Sequence, residues 1–216
     1  MEKRKVILDC DPGHDDAFAI MLADLLGVTT VGGNGFLENT TRNALQVLDV
    51  IGRSDVKVYP GHAGPSTKEL VIADNVHGKS AMDGPQLPPP SKSAESKHGV
   101  DFIVDTVMST DDVTLIATGP LTNIASALNK EPRIAQRAKG LYIMGGGAYC
   151  GNWTAAAEFN IFVDPEAAYK VFHSGMPIYM CGVNLTRQCP VLRENVEKMR
   201  ALGNKAGKFA AELLDF

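Results

Sequence analysis

Short apolar runs alternate along this chain with stretches whose apolar residues recur every three or four positions. Lys5-Val6-Ile7-Leu8-Asp9 has the pattern of a buried parallel strand and ends in acids. Residues 15–26 follow at helical spacing, with Ala17, Ile20, Met21 and Leu25 on one side. Residues 28–31 are β-branched and break at Gly32-Gly33-Asn34-Gly35, which predicts a second strand and a loop. A helix over 39–51 and a strand over 56–59 complete a β-α-β-α-β start. Residues 61–98 carry Pro65, Pro85 and Pro88-Pro89-Pro90 and show few regular periods, so an irregular segment is expected there. Alternation then resumes, with helices over 99–108, 120–130 and 165–173 and strands over 113–117, 140–144 and 178–183. Two helices, 191–201 and 205–216, close the chain. The order predicts one α/β domain over 1–216, a mostly parallel Rossmann-like sheet flanked by helices.

Composition narrows the class. A net charge of -4 with 21% charged residues gives no basic surface for nucleic acid or an anionic membrane. No apolar run is long enough to span a bilayer, and the opening run is too short for a signal-peptide core, so a cytoplasmic location is expected. Cys10, Cys150, Cys181 and Cys189 form no C-x-x-C pair, and reduced thiols are the expectation.

The chemistry begins where the first strand ends, at Asp9-Cys10-Asp11-Pro12-Gly13-His14-Asp15-Asp16. Ligands of open α/β sheets bind beyond the carboxyl ends of strands. An Asp at a helix start is a common cap, which accounts for one or two of these acids. Four in eight residues repel one another unless some are protonated or a cation neutralises them. Oxygen ligands favour calcium or magnesium over zinc. An EF-hand also opens with D-x-D, but it needs a preceding helix and a later Glu. A phosphatase of the haloacid dehalogenase type has D-x-D after its first strand, but Thr or Val normally follows, where this chain has Pro12-Gly13.

With Ala17 added, that turn resembles the signature of the inosine-uridine-preferring nucleoside hydrolase family. Further segments agree in order: Val31-Gly32-Gly33-Asn34, His77-Gly78, Thr118-Gly119-Pro120-Leu121-Thr122-Asn123-Ile124, Met144-Gly145-Gly146-Gly147, Gly151-Asn152, Ala157-Glu158-Phe159-Asn160 and Asp164-Pro165-Glu166-Ala167-Ala168. The resemblance implies water-driven cleavage of the N-glycosidic bond of ribonucleosides, with bound calcium (Ca2+). It implies Asp11 and Asp16 as metal ligands, the Thr118 carbonyl as a third, and Asp11 also as general base. Asp15 and Asn160 resemble the residues on the ribose hydroxyls, Asn34 one near sugar and water, and Asn152 and Glu158 those on the 5′-hydroxyl. Met144 would line the sugar pocket, and His77 would meet the base from a mobile flap within 61–98. Asp9 is expected to support the site from behind. Gly145-Gly146-Gly147 fails G-x-G-x-x-G at Cys150 and suggests close backbone packing. His62, His98 and His173 are expected at the surface or in turns, and Trp153 and Tyr149 either wall the pocket or pack as core.

The chain departs from the family pattern in two places. Leu25-Leu26-Gly27 is a short passage from helix to strand, and the family's later calcium-ligating Asp and neighbouring His lie beyond what Phe216 reaches. A non-catalytic relative that binds calcium or nucleoside is therefore the alternative, and a metal-dependent phosphohydrolase a third reading that lacks a basic clamp. The opening residues and the 152–165 block resemble the pyrimidine-preferring bacterial branch, and the family implies a homodimer or homotetramer.

Overall fold

The computed structural model describes residues 4–216. Its first strand, β1 (Lys5–Cys10), is buried on both faces beyond Lys5, which is why it reads as an unbroken apolar run. The helix α1 (His14–Leu22) follows, then β2 (Leu25–Thr30), α2 (Leu37–Val50) and β3 (Val58–Pro60). Beyond the irregular segment come α4 (Gly99–Ser109), β4 (Val113–Ala117), α5 (Thr122–Lys130), α6 (Ile134–Arg137) and β5 (Gly140–Met144). The chain closes with α7 (Phe159–Val163), α8 (Pro165–Phe172), β6 (Ile178–Cys181), α9 (Val183–Thr186), α10 (Arg193–Ala201) and α11 (Lys205–Leu214). The six strands form one sheet in the order β3-β2-β1-β4-β5-β6, and every neighbouring pair is parallel.

The sheet divides the core in two. Ile7, Leu115, Leu141 and Ile143 pack against Ile103 and Val107 of α4, Ile124 and Leu128 of α5, and Val171 of α8. On the other face Val6, Leu8, Cys10 and Val28 meet Ala17 and Ile20 of α1, Ala44, Val47 and Leu48 of α2, and Phe209 and Leu213 of α11. Each fully buried Leu or Ile contributes roughly 1.5–3 kcal/mol relative to exposure. The strand order reverses between β1 and β4, so the loops at their carboxyl ends splay apart and leave a crevice there.

Element boundaries differ from the sequence reading at several places: the 56–59 strand is Val58–Pro60, the 178–183 strand ends at Cys181 with Val183 opening α9, and the short helices α6, α7 and α9 are absent from that reading. The helical period through Leu25 is misleading, because α1 stops at Leu22 and only Ala23 and Asp24 connect it to β2. Leu25 is buried as a strand residue opposite Val6, while Gly27 pairs with Ile7 and leaves Leu26 as the extra residue of a bulge. The 120–130 helix begins at Thr122, leaving Pro120 in the loop. Within the irregular segment, Asp74–His77 form a single helical turn, α3. Among the described residues no helix is long and apolar enough to cross a membrane, and all four cysteines are free.

Candidate functional site

The crevice between the β1 and β4 loops is a cleft of about 190 Å³ lined by Asp15, Asn34, His77, Thr118, Met144 and Trp153, together with Asn152, Glu158, Phe159 and Asn160. Eight of the ten residues singled out from the sequence thus border one space. The other two, Asp11 and Asp16, lie directly beneath it and are bonded to its floor.

Asp11 leaves the end of β1 and is fully buried. The Asn34 amide donates to its Oδ2 at 2.7 Å, and the Asn34 side chain donates to its carbonyl at 3.1 Å. Its Oδ1 is buried with no hydrogen-bond partner. The carboxylate fits only because two glycines flank it: a Cβ on Gly33 would come to 2.2 Å from Oδ2, and one on Gly119 to 2.5 Å from Oδ1. Burial, reinforced by the charge of Asp16, pushes this carboxyl well above the usual carboxylate range.

Asp16 lies in the first turn of α1, where the helix N-terminus favours an acid. Its Oδ2 accepts from the Gly13 amide at 3.1 Å and from Asn34 Nδ2 at 3.2 Å, and its Oδ1 accepts from the Thr118 hydroxyl. Burial, then the neighbouring Asp15, raises it to about 7. Asp15 is the one acid of the turn that reaches the open cleft.

Asp9 turns away, as the sequence reading expected. Alternation along β1 points it at α5, where Asn123 Nδ2 donates to Oδ1 at 2.8 Å and the Thr29 hydroxyl donates to the same atom. Its Oδ2 has no partner, and burial holds the group at about 7. Among the described residues no three His, Cys, Asp or Glu side chains converge into a ready-made metal cage.

The far wall is pinned by polar side chains. Asn160 Nδ2 donates to the Thr118 carbonyl at 2.8 Å and to the Met144 carbonyl at 3.0 Å, tying the ends of β4 and β5 to α7. Glu158 caps α7 and takes the Gly146 amide at 2.9 Å; burial raises its pKa while these backbone bonds oppose the rise. Asn152 Oδ1 accepts from the Phe159 amide at 2.8 Å. Trp153 lies edge-on to Phe159, 5.0 Å between centres, and does wall the cleft, whereas Tyr149 is 83% exposed and does not border it. His98 and His173 are exposed and His62 is half-buried, as expected for turn and surface positions. Gly147 packs against the Cys150 carbonyl, where a Cβ would come to 2.0 Å, in keeping with close backbone packing.

Sequence reasoning missed the residues that hold the acids in place. Asn43 is buried and donates to the Pro12 carbonyl at 3.0 Å and the Ser80 carbonyl at 2.9 Å, joining the acid turn to the irregular segment. An Asn among the apolar positions Ala44, Val47 and Leu48 of α2 was the available signal. Asn123 and Thr29, which hold Asp9, and His14, which contacts His77, were also unassigned.

Residues 6–216 match the family model described as inosine-uridine preferring nucleoside hydrolase. A protein of Shewanella baltica named pyrimidine-specific ribonucleoside hydrolase RihA is 50% identical over 99% of this chain and 69% of its own length. One of the same name from Photobacterium profundum is 47% identical over 99% of this chain and 71% of its own length. Among solved structures, a purine-preferring ribonucleoside hydrolase from Gardnerella vaginalis superposes with a TM-score of 0.93 at 37% identity, covering 98% of this chain and 71% of that one. A structure titled plant nucleoside hydrolase, PpNRh1 enzyme, gives 0.90 at 34% identity over 98% of this chain and 70% of that one.

Proposed function

The chain belongs to the inosine-uridine preferring nucleoside hydrolase family, and on that premise we propose that it hydrolyses the N-glycosidic bond of pyrimidine ribonucleosides with calcium held at Asp11, Asp16 and the Thr118 carbonyl. Ribonucleoside hydrolysis is the activity its relatives are named for. The observation that carries the finer reading is Asp11 Oδ1, a buried carboxylate oxygen with no partner beneath a cleft of sugar size. Burying an ionised carboxylate without compensation costs several kcal/mol, so the group stays protonated or awaits a cation.

The donor set fits calcium. That ion takes about six to eight oxygens, and Asp11, Asp16 and Thr118 supply hard oxygen donors, with water and sugar hydroxyls available for the rest. Thr118 keeps a second lone pair on its carbonyl while Asn160 uses the first. When bound, such a cation supplies charge neutralisation of the acids and polarises the oxygens it touches.

The chain's own residues then divide the work. The Asn34 amide fixes Asp11 Oδ2 and leaves Oδ1 to take a proton from the attacking water. Asp15 at the rim and Asn160 on the wall bind the ribose hydroxyls, Asn152 and Glu158 the 5′-hydroxyl, and Met144 lies along the sugar. His77 faces the base. Positive charge grows on the ribose ring in the oxocarbenium-like transition state, and acids clustered on one side of it stabilise that charge more than the neutral ground state. Preference for pyrimidines is supported by the 47–50% identity to pyrimidine-specific relatives, against 37% to a purine-preferring one.

A second reading, nucleoside binding without turnover, is favoured by one observation: among the described residues no third His, Cys, Asp or Glu completes the cage. Reducing-sugar release from uridine, cytidine and inosine separates the two. The enzymatic reading expects ribose from uridine ahead of inosine, abolished by a chelator and restored by calcium. Uridine binding with no ribose released establishes the second reading instead, and release that survives chelation removes calcium from the account.

A further inference from the structure

Two histidines join the acid turn to the irregular segment. His14 opens α1, and its Nε2 lies 2.8 Å from the Asp83 carbonyl oxygen. Its Nδ1 lies 2.9 Å from Nδ1 of His77. The ring centres are 5.2 Å apart and the planes differ by 20°. That separation is the nitrogen–nitrogen distance plus about one ring radius at each end, so the rings meet edge to edge, as an N–H···N bond requires.

Proton bookkeeping follows from the Asp83 carbonyl, which can only accept. His14 Nε2 therefore carries a proton. In a neutral imidazole the other nitrogen then holds a lone pair, so His14 Nδ1 accepts and His77 Nδ1 donates. The His14 backbone amide also points at His77 Nδ1 from 3.4 Å, at the outer limit for a bond; using that contact would need a lone pair on Nδ1 and a charged His14 donating from both nitrogens, the arrangement that a pyrrole-type His77 Nδ1 excludes. What remains on His77 is the lone pair of Nε2, on a ring that borders the cleft. Burial lowers the pKa of His77, in keeping with a neutral ring.

The anchor is itself fixed. The Asp83 carboxylate accepts from the amides of Lys79 at 3.1 Å and Ser80 at 3.0 Å, and its own amide donates to the His77 carbonyl at 3.0 Å. Phe216 lies parallel to His14, 4.9 Å between centres, and holds the plane of the ring.

We propose that His14 is a positioning residue that locks His77 in its Nδ1–H tautomer, so that the cleft presents a fixed hydrogen-bond acceptor, His77 Nε2, to a ligand edge carrying N–H or O–H. This is the reverse of the tautomer a free histidine side chain favours in water. That the ligand edge is an imide or amino group of a nucleobase rests on the nucleoside reading; the tautomer does not.

The test is long-range proton–nitrogen correlation NMR on protein labelled with nitrogen-15 in its five histidines, at about pH 8, well above the ordinary imidazole value of ~6.5. His77→Gln assigns the His77 signals. In the unsubstituted protein His77 Nδ1 should resonate as pyrrole-type and Nε2 as pyridine-type. His14→Phe, which removes the acceptor, should exchange the two shifts, whereas His14→Asn, whose Oδ1 can accept in its place, should leave them as they are. A pyrrole-type Nε2 in the unsubstituted protein overturns the proposal, and so does an unchanged pattern in His14→Phe. If His14→Phe does not fold, the unsubstituted protein and His14→Asn decide alone, since Nε2–H in either is incompatible with the lock. No step requires turnover, so absence of ribose release with this NMR pattern intact counts against the nucleoside reading only.

Discussion

The acid turn at the end of β1 and the irregular segment over 61–98 supply adjoining sides of the same cleft, but they are built differently. The turn grows out of the centre of the sheet. Asp11 is confined by two glycines and an Asn34 amide, and Asp16 by α1, Asn34 and Thr118. The segment has one helical turn and is attached by polar side chains, Asn43 to Ser80, Gln46 to Pro88 and Asp49 to Ser91, by backbone bonds such as that from Ala73 to Asn34, and by the buried Met82. Charge is thus placed on a turn that issues from the sheet, while the face that meets the variable part of a ligand is held by hydrogen bonds and a few buried side chains, with little regular structure of its own. The largest effects of mutation should accordingly fall on the turn and the smallest on the segment.

Asp11→Asn should have the largest effect. It keeps the shape but removes the base, so ribose release from uridine should drop about 10²–10⁴-fold with the fold intact by circular dichroism. A loss under tenfold would contradict the role given to Oδ1.

The next effect concerns pH. Asp9 is raised from the ordinary 3.8 to about 7 by burial, so between those values the folded state binds the proton that the unfolded chain releases. The contribution of Asp9 to the stability of the chelator-treated protein should therefore be full below about pH 4, fall as pH rises towards 7, and level off above. The Asp9 share is on the order of 4 kcal/mol at most. Asp9→Asn should flatten that slope in thermal melts across the range; an equally steep slope assigns the loss to other groups.

Gly119→Ala brings a Cβ to 2.5 Å from Asp11 Oδ1 and should cost about 1–3 kcal/mol of stability, with activity falling alongside. Denaturant melts measure it, and a neutral result means the carboxylate has room to move. The smallest effect belongs to the segment. Asp49→Ala releases Ser91 and Ser54, and should lower stability by about 1 kcal/mol while ribose release stays unchanged.

The difference between these regions also explains what the sequence could reveal. Strand runs such as Val6-Ile7-Leu8 and Val113-Thr114-Leu115 are buried along their length, and four acids in eight residues at the end of the first strand exceed what helix capping uses. Fold and acid turn were therefore legible. The end of α1 was not, because Leu25 continues a helical period while being buried by a strand pairing that only tertiary structure creates. Nor were Asn43, Asn123 and the His14–His77 contact, whose partners lie 31 to 114 positions away. Local patterns carry no trace of such distances. Placement of Asn152 and Glu158 beside the cleft was readable through family resemblance, but their use as backbone clamps on α7 was not.

Calcium titration by calorimetry at pH 6 and pH 8, in buffers of different ionisation enthalpy, tests most directly whether the buried acids exist for a cation. Because burial keeps Asp11 and Asp16 protonated longer than ordinary carboxylates, binding should release protons and tighten as pH rises. Asp11→Asn should lose the response. Calcium heats absent at both pH values, or an affinity that is the same at each with no proton release, would contradict the account.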